Sequence, residues 1–300
     1  MSTESTLKSV ALIGFGEAGG IIAQDLVALG IKVRAYDRLL DEPDHREAIQ
    51  RKAAGAGVEL CESAALAVQG AQLVISAVTA GSALSVAAGL ADHLSAGQLF
   101  MDINSVAPTT KQTAASTVAA SGASYIDAAV MAPVPPQRLK TPILLGGQEA
   151  GLLASWLEPL GFNVQVVADR IGVASAIKMC RSIMIKGLEA LTTECLSTAR
   201  QYGAEEKVLA SLHKSFPGMG WDDRQPHYLI SRVAEHGRRR AEEMEEVART
   251  ALDVGVVPNM SQAIVATQRG LVDAMVAEGM VYNEPFDWRT LVDTLYPAKV

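Results

Sequence analysis

A glycine-rich turn near the N-terminus constrains the fold of this chain more than any other segment. The apolar run Ser9 to Ile13 is typical of a buried strand, and the sequence GFGEAG at Gly14 to Gly19 separates it from an amphipathic helix. There Gly14 permits a tight turn, Gly16 lets the backbone approach a pyrophosphate, and Gly19 lets the helix pack against the strand. The helix N-terminus offers N–H donors to phosphate oxygens. The pattern predicts a dinucleotide site with these contact residues: Gly14, Phe15, Gly16, Glu17, Ala18 and Gly19.

An acidic residue at the end of the second predicted strand strengthens this prediction. Asp37 ends the strand Ile31 to Tyr36 and follows Gly19 by eighteen residues. A carboxylate there accepts hydrogen bonds from the adenosine ribose hydroxyls and repels a 2′-phosphate, which favours NAD. Arg38 comes next and could instead pair with such a phosphate. The sequence therefore predicts NAD as the cofactor and leaves NADP possible.

Alternating strand and helix patterns continue to Val167. The clearest apolar runs are Leu73 to Val78, Leu99 to Asp102, Ser124 to Ala128 and Ile143 to Gly147. Repeated strand–helix units with short links predict a doubly wound, mostly parallel sheet. Ligands of such sheets lie beyond the carboxyl ends of the strands, so Val78 and Thr79 are further candidate cofactor contacts. We therefore predict an α/β Rossmann domain over residues 1–167.

A long segment without proline, Gly172 to Arg200, predicts one helix of roughly 40 Å that joins this domain to the rest of the chain. Apolar residues recur along one face, and a second face is mostly polar. The apolar face carries Ile177, Met184, Leu188, Leu191 and Cys195, and the second carries Lys178, Ser182, Ile185, Glu189 and Thr192. Lys178 lies near the start of the helix among apolar neighbours. It is either a solvated surface lysine or a functional one.

The remaining sequence predicts an all-α domain over residues 168–300. Beyond the long helix, the predicted helices are Glu205 to Ser215, Leu229 to Val254, Ser261 to Glu278 and Trp288 to Tyr296. Glycine, proline and aromatic residues break the helical pattern between Phe216 and Tyr228. His236, Arg240 and Glu243 share one helical face by their spacing. This face is either solvated or supplies substrate contacts.

Charge and composition exclude several classes of protein. A net charge of −7 and a pI near 5.3 disfavour a nucleic-acid binder, because no basic surface is available for phosphates. The three widely spaced cysteines form no CxxC pair, which argues against a disulfide framework or a zinc site, and we predict no metal. Neither a secretory signal nor a membrane-spanning run is visible, so a cytoplasmic location is expected.

Four motifs, in this order, resemble those of the β-hydroxyacid dehydrogenases, the relatives of 6-phosphogluconate and 3-hydroxyisobutyrate dehydrogenase. They are GFGEAG at Gly14 to Gly19, DINSVAP at Asp102 to Pro108, DAAVMAP at Asp127 to Pro133 and GVASAIKMCRS at Gly172 to Ser182. The resemblance covers essentially the whole chain and looks closest to a divergent branch with a C-terminal domain of unknown function. It implies a Rossmann domain, an all-helical domain and a homodimer formed through the helical domains.

The resemblance also implies roles for individual residues. The family's catalytic lysine falls on Lys178, which would handle the hydroxyl proton as general acid or base while the cofactor carries the hydride. Asn104 and Ser105 are expected to orient substrate or nicotinamide. Ser182 stands where the family usually has an asparagine, and it is expected to hydrogen-bond Lys178 or the substrate.

The motif that binds the substrate carboxylate in the family is altered in this chain. Its serine and two glycines are replaced by Met131, Ala132 and Pro133. A methionine side chain offers no hydrogen-bond donor and a proline has no N–H, so the usual carboxylate contact is absent. The candidate substrate contacts are Met131, by its place in the motif, and His236 and Arg240, by their shared helical face.

Three functions are compatible with these patterns. The favoured one is a nicotinamide-dependent dehydrogenase acting on an alcohol of a small polar metabolite, with or without decarboxylation of a β-keto product. The second is an imine or ketone reductase, against which Lys178 argues. The third is a non-catalytic NAD-binding protein, supported only by the altered carboxylate motif. The sequence does not name the substrate.

Overall fold

The computed structural model describes residues 6–297. The chain divides into two compact units, Met1–Lys178 and Met179–Val300. All the strands of the described chain lie in the first unit, and the second contains only helices and their connections over those residues. An N-terminal α/β domain followed by an all-α domain is therefore confirmed.

Eight strands form a single sheet in the first unit. They are β1 (Ser9–Ile13), β2 (Lys32–Tyr36), β3 (Glu59–Leu60), β4 (Leu73–Ser76), β5 (Leu99–Asp102), β6 (Ser124–Val130), β7 (Ile143–Gly146) and β8 (Val164–Ala168). Their order across the sheet is β3-β2-β1-β4-β5-β6-β7-β8. Strands β2 and β3 are thus added on one side of β1, and strands β4 to β8 are added on its other side. The carboxyl ends of β1 and β4 flank the topological switch point, where ligands of such sheets bind.

Both faces of this sheet are buried. The connecting helices are α1 (Glu17–Ala28), α2 (Pro43–Ala56), α3 (Ala64–Val68), α4 (Ala83–Leu90), α5 (Pro108–Ala119), α6 (Val134–Gln137) and α7 (Ala150–Leu157). Val10 and Leu12 of β1 belong to one apolar core cluster, while Ala11 and Ile13 belong to another. Because alternate residues of a strand point to opposite faces, the sheet has apolar packing on each side, as a doubly wound fold requires.

Strand β7 departs from the parallel arrangement of the rest of the sheet. It pairs antiparallel with β6, with Asp127 opposite Gly146, whereas the other neighbouring strands pair in parallel. The connection between the two strands contains only the short helix α6 and one 3₁₀ turn. A parallel crossover usually needs a helix long enough to span the sheet. The chain therefore returns directly beside β6, and the sheet is mostly parallel, as predicted.

The second unit is built from long helices. They are α8 (Val173–Gln201), which begins in the first unit, α9 (Glu205–Ser215), α10 (Gln225–Leu252), α11 (Asn259–Ala277) and α12 (Trp288–Leu295). Helix α10 begins at Gln225, earlier than the predicted Leu229, because Pro226 is tolerated in a first turn whose N–H groups need no intrahelical partner. Helices α10 and α11 approach closely at Gly237, where a Cβ would overlap the carbonyl oxygen of Gln268.

The two faces of α8 are not buried in the way that their composition suggests. Met184 and Leu191 on the apolar face are 66 % and 57 % exposed. Ser182, Glu189 and Thr192 on the second face are buried. A helix of a globular protein usually turns its apolar stripe inward. In the single chain, α8 instead exposes that stripe and buries polar side chains.

Candidate functional site

The glycine-rich turn closes tightly against the end of β4. Gly14 has a φ of 96°, in the left-handed region that favours glycine, and a Cβ there would overlap the carbonyl oxygen of Ala77. A Cβ on Gly19 would overlap the carbonyl oxygen of Gly14. These two positions must therefore be glycine for the chain to fold in this way, whether or not a ligand is bound.

Gly16 has no such packing reason to be glycine. A Cβ on this residue would meet no protein atom within 4 Å. Gly16 directly precedes α1, and the first N–H groups of a helix have no acceptor inside the helix. The fold does not require a glycine at position 16, and open space lies beside it at the helix N-terminus. Both features suit the close approach of a diphosphate. The turn therefore fits the nicotinamide dinucleotide that its sequence predicts.

Asp37 is fixed beside this turn by two backbone hydrogen bonds. Its Oδ2 accepts from the N–H of Phe15 at 2.7 Å, and its Oδ1 accepts from the N–H of Leu39 at 3.0 Å. The half-buried carboxylate stands at the end of β2, while Arg38 is exposed. A carboxylate held in this place suits the two hydroxyls of an adenosine ribose.

Asn104 ties the loop after β4 to the loop after β5. Its side-chain oxygen accepts a hydrogen bond from the N–H of Val78 at 2.6 Å, and its amide nitrogen donates to Ser76 Oγ at 2.9 Å. The residue is buried. Thr79 is exposed, and its hydroxyl lies 3.1 Å from that of Ser82. The side chain of Asn104 thus holds the backbone at the switch point rather than pointing freely toward a ligand.

Lys178 contacts the loop that follows β5. Its Nζ donates a hydrogen bond to Ser105 Oγ at 2.5 Å, and both residues are half-buried. The two residues are far apart in sequence, and both belong to the unit that contains the sheet. The structure therefore brings together two of the four predicted catalytic residues at the carboxyl end of the sheet. Ser182 lies one helical turn further along α8 and is buried.

A buried carboxylate anchors the first turn of α8. Oδ2 of Asp127, on β6, accepts hydrogen bonds from the N–H of Gly172, the N–H of Ser175 and the hydroxyl of Ser175, each at 3.0 Å. A carboxylate at a helix N-terminus satisfies donors that the helix leaves unpaired and is favoured by the helix dipole. The position of Lys178, three residues beyond Ser175, follows from this anchor.

A buried lysine joins Asp127 to Asp102. Lys111 Nζ lies 2.9 Å from Oδ1 of Asp102 and 3.8 Å from Oδ1 of Asp127, and all three side chains are almost completely buried. The hydroxyl of Tyr125 donates to Asp102 at 2.5 Å, and burial together with that carboxylate holds the pKa of Tyr125 well above its usual value. Our sequence analysis missed this network. The signal available was an aspartate in a buried apolar strand in each of two motifs, at the end of β5 and in the middle of β6.

The polar face of α8 continues into the second unit as a buried ionic network. Lys186 Nζ lies 2.7 Å from Oε2 of Glu243. Glu189 Oε1 lies 2.8 Å from Arg240 Nη1, and Gln268 donates to Oε2 of Glu189 at 3.1 Å. Burial raises the pKa of Glu189, although Arg240 opposes the shift. These pairs explain why a polar helix face is found in the interior of the unit.

The candidate substrate residues have different surroundings. Arg240 is committed to Glu189, and burial lowers the pKa of its guanidinium. His236 is half-buried, its Nε2 lies 3.2 Å from Glu235, and burial lowers its pKa. Met131 is half-buried, and its N–H donates to the carbonyl oxygen of Pro142 at 2.9 Å. Its backbone donor is therefore used by the antiparallel pairing of β6 and β7.

Comparison with known families decides the class of this chain. A model of the NAD binding domain of 6-phosphogluconate dehydrogenase matches residues 9–165, a little over half of the chain. The chain belongs to this NAD-binding family. A second model, of a domain of unknown function (DUF1932), matches residues 199–271 in the helical unit. The predicted membership in the β-hydroxyacid dehydrogenase group, in a branch with an uncharacterised C-terminal domain, is confirmed.

Individual relatives agree with this assignment. A solved conserved hypothetical protein from Sinorhizobium meliloti is 40 % identical over 97 % of each chain, with a TM-score of 0.78. A protein of unknown function whose structure is described as similar to 3-hydroxyacid dehydrogenases is 32 % identical, covers 89 % of this chain and 98 % of its own, and has a TM-score of 0.70. The 3-hydroxyisobutyrate dehydrogenase of Pseudomonas aeruginosa is 28 % identical over 72 % of each chain.

Over the described residues 6–297, no helix has the length and apolar character that crossing a membrane requires. The same residues contain no group of three or more histidine, cysteine, aspartate or glutamate side chains placed to hold a metal ion.

Proposed function

We propose that this protein is an NAD-dependent oxidoreductase that transfers a hydride between its cofactor and an alcohol or carbonyl carbon of a small, polar, hydroxy-acid-like metabolite. The observation that carries the proposal is the hydrogen bond from Lys178 to Ser105. It holds an ionisable group at the carboxyl end of a doubly wound sheet, where ligands of such sheets bind. Membership in the NAD-binding family supports the cofactor.

Lys178 handles the substrate proton in this proposal. The bound nicotinamide supplies or accepts the hydride. When the substrate is oxidised, a neutral Lys178 takes the proton of the substrate hydroxyl, and in the reverse direction its ammonium donates that proton to the developing alkoxide. Ser105 accepts a hydrogen bond from Nζ and so restricts where the lysine can point. Ser182 is proposed to support this site from the next turn of α8.

We propose NAD rather than NADP because of Asp37. Its carboxylate is fixed by the N–H groups of Phe15 and Leu39 and so cannot easily move away from a 2′-phosphate. Repulsion between these two anions opposes NADP. Arg38 is exposed beside it and would have to outweigh that repulsion for NADP to be preferred.

The substrate proposed is a hydroxy acid or a similar polar alcohol. A 3-hydroxyisobutyrate dehydrogenase among the relatives supports this class. The N–H of Met131 is already used by Pro142, and neither the Met131 side chain nor Pro133 offers a donor, so other groups must hold the polar end of the substrate. Because Arg240 is paired with Glu189, His236 is the better candidate of the two residues predicted on α10.

A homodimer formed through the helical domains is also proposed. The apolar face of α8, defined by Ile177, Met184, Leu188, Leu191 and Cys195, is largely exposed in the single chain. A second copy of the same face would remove these side chains from water, and a two-fold interface places like surfaces together.

The experiment that tests the proposed activity is a substrate screen followed by a variant at Lys178. Hydroxy acids, polyol acids and amino alcohols are supplied with NAD or NADP, and turnover is followed by the absorbance of the reduced cofactor. Lys178→Ala is then compared with the wild-type protein on the best substrate. Turnover of imines by a variant without Lys178, and of no alcohol by the wild-type protein, would favour the imine-reductase alternative.

A further inference from the structure

A lysine on α2 contacts the glycine-rich turn from outside the motif. Lys52 Nζ donates hydrogen bonds to the carbonyl oxygens of Phe15, at 2.7 Å, and Gly16, at 2.6 Å. The ammonium also lies 4.8 Å from the centre of the Phe15 ring, within the range of cation–π attraction. These hydrogen bonds join helix α2 to Phe15 and Gly16, the two residues that lead into α1.

The space for this ammonium depends on a glycine that the GxGxxG pattern does not contain. Gly20 follows Gly19 inside α1 and is buried. A Cβ on Gly20 would lie 2.5 Å from Lys52 Nζ and 2.6 Å from its Cε. Alanine is a much better helix former than glycine, so a helix-interior glycine needs a packing reason. At Gly20 that reason is the end of the Lys52 side chain.

The surroundings of Lys52 shift its pKa in opposite directions. Partial burial lowers the pKa, and the carboxylates of Asp37 and Glu17 raise it by less. A diphosphate at the N-terminus of α1 would bring further negative charge to this part of the unit. An ammonium held against this turn by two hydrogen bonds attracts that diphosphate, although solvent screens the exposed residue.

We propose that Lys52 is a binding determinant for the dinucleotide, and that Gly20 is glycine in order to admit it. The Lys52 ammonium holds the carbonyl groups of Phe15 and Gly16 in place, which keeps the neighbouring N–H groups directed toward the diphosphate, and it adds a positive charge beside them. This inference rests on the proposed dinucleotide function and adds two residues to the site.

The first test measures NADH and NADPH binding directly, by the change in cofactor fluorescence, and needs no substrate. Lys52→Met keeps an unbranched apolar side chain, one atom shorter than lysine, but removes the charge and the donors. We expect it to weaken NADH binding about tenfold, which is about 1.4 kcal/mol. The matched control is Lys32→Met, because Lys32 is exposed at the amino end of β2 and its loss changes the net charge equally. The control should bind within twofold of the wild-type protein.

The second test displaces the ammonium without deleting it. In Gly20→Ala the added methyl group would push away the flexible end of Lys52, so we expect a loss of NADH affinity similar to that of Lys52→Met. In the double variant the two losses should not add, because both act through one contact.

Three results would overturn the inference. They are NADH binding by Lys52→Met within twofold of the wild-type protein, an equal loss in Lys32→Met, and additive losses in the double variant. If Lys52→Met does not fold, Gly20→Ala alone decides, and wild-type affinity in that variant rejects the inference. A wild-type protein that binds neither NADH nor NADPH would reject the proposed function together with this inference, whereas tight wild-type binding with unaffected variants rejects the inference alone.

Discussion

Oδ2 of Asp127 accepts hydrogen bonds from both the N–H and the hydroxyl of Ser175, each at 3.0 Å. This contact joins strand β6 to the first turn of helix α8, and Lys178 follows on the next turn. The N–H of Gly172 makes a third hydrogen bond to the same oxygen. Asp127 thus holds the start of the helix on which Lys178 lies, one turn before Lys178 contacts Ser105.

Loss of this carboxylate should destabilise the protein strongly. Asp127→Ala leaves three donors at the start of α8 without their acceptor and removes a carboxylate near the buried ammonium of Lys111. We expect a loss of about 3–5 kcal/mol in the free energy of unfolding, the usual effect of breaking a buried charged pair. Ser175→Ala removes one hydroxyl and should cost about 1 kcal/mol. Urea denaturation measures both, and equal losses would contradict the anchoring role of Asp127.

Two glycines of the same motif should respond to substitution in opposite ways. Gly16→Val should abolish dinucleotide binding and leave the melting temperature nearly unchanged, because a Cβ at that position meets no protein atom within 4 Å. Gly19→Ala should lower the free energy of unfolding by about 1–3 kcal/mol, because its Cβ would overlap the carbonyl oxygen of Gly14. Gly151→Ala, on helix α7, is a control with open space that should leave dinucleotide binding unchanged and should not lower the free energy of unfolding, since alanine is the better helix former.

Cofactor titration and thermal unfolding of these three variants separate the two roles. Should Gly16→Val unfold the protein, the open space in front of α1 would not be available to a ligand. Should it bind NADH as the wild-type protein does, the diphosphate would lie elsewhere.

Most of the fold could be predicted because local signals determine it. The strands β1 and β5 coincide with short apolar runs, and α9 spans the residues that its helical pattern predicts. The direction of β7 could not be predicted, because the strand pattern of Ile143–Gly146 is the same for parallel and antiparallel pairing. Only the short connection from β6, which contains no long helix, distinguishes the two.

The candidate site was predictable only in part. The spacing of residues along the sequence was enough to predict the glycine turn and the role of Asp37. Lys178, in contrast, was assigned through the family resemblance. The contacts of Lys111 and Lys52 depend on side chains that meet across helices and strands, and no periodic pattern marks them. The burial of Glu189 is a similar case, because its partner Arg240 lies on a different helix and makes a buried position possible for a charged residue.

The exposed apolar face of α8 makes the proposed dimer testable. Leu191→Glu places a charge in the middle of that face, where the wild-type side chain is 57 % exposed in the single chain. Because the position is exposed, the fold should tolerate the change, but burial of an unpaired carboxylate at an interface should prevent association. Light scattering at micromolar concentration should give the mass of a dimer for the wild-type protein and a mass near 31.6 kDa for the variant.

Leu252→Glu is a suitable control, because Leu252 is equally exposed but lies at the end of α10, away from the α8 face in sequence. A wild-type protein with the mass of one chain would count against the dimer. Unchanged association in Leu191→Glu would place the interface on another surface.

The decisive prediction concerns Lys178. Lys178→Ala should lower kcat by about 10²–10⁴, the usual contribution of a general acid–base group, and should leave the dissociation constant of NADH almost unchanged. NADH affinity should not respond to this substitution, because Lys178 contacts Ser105 and is not part of the glycine turn. Lys178→Arg should not restore turnover, since a guanidinium keeps its proton and cannot act as a base.

Ser105→Ala should retain the reaction with a smaller loss of kcat, about tenfold, because it only frees Lys178 to point elsewhere. Steady-state kinetics on the best substrate and NADH titration measure these effects together. If Lys178→Ala kept more than about a tenth of wild-type turnover, far above the residual rate expected after loss of a general acid–base group, the lysine would be structural.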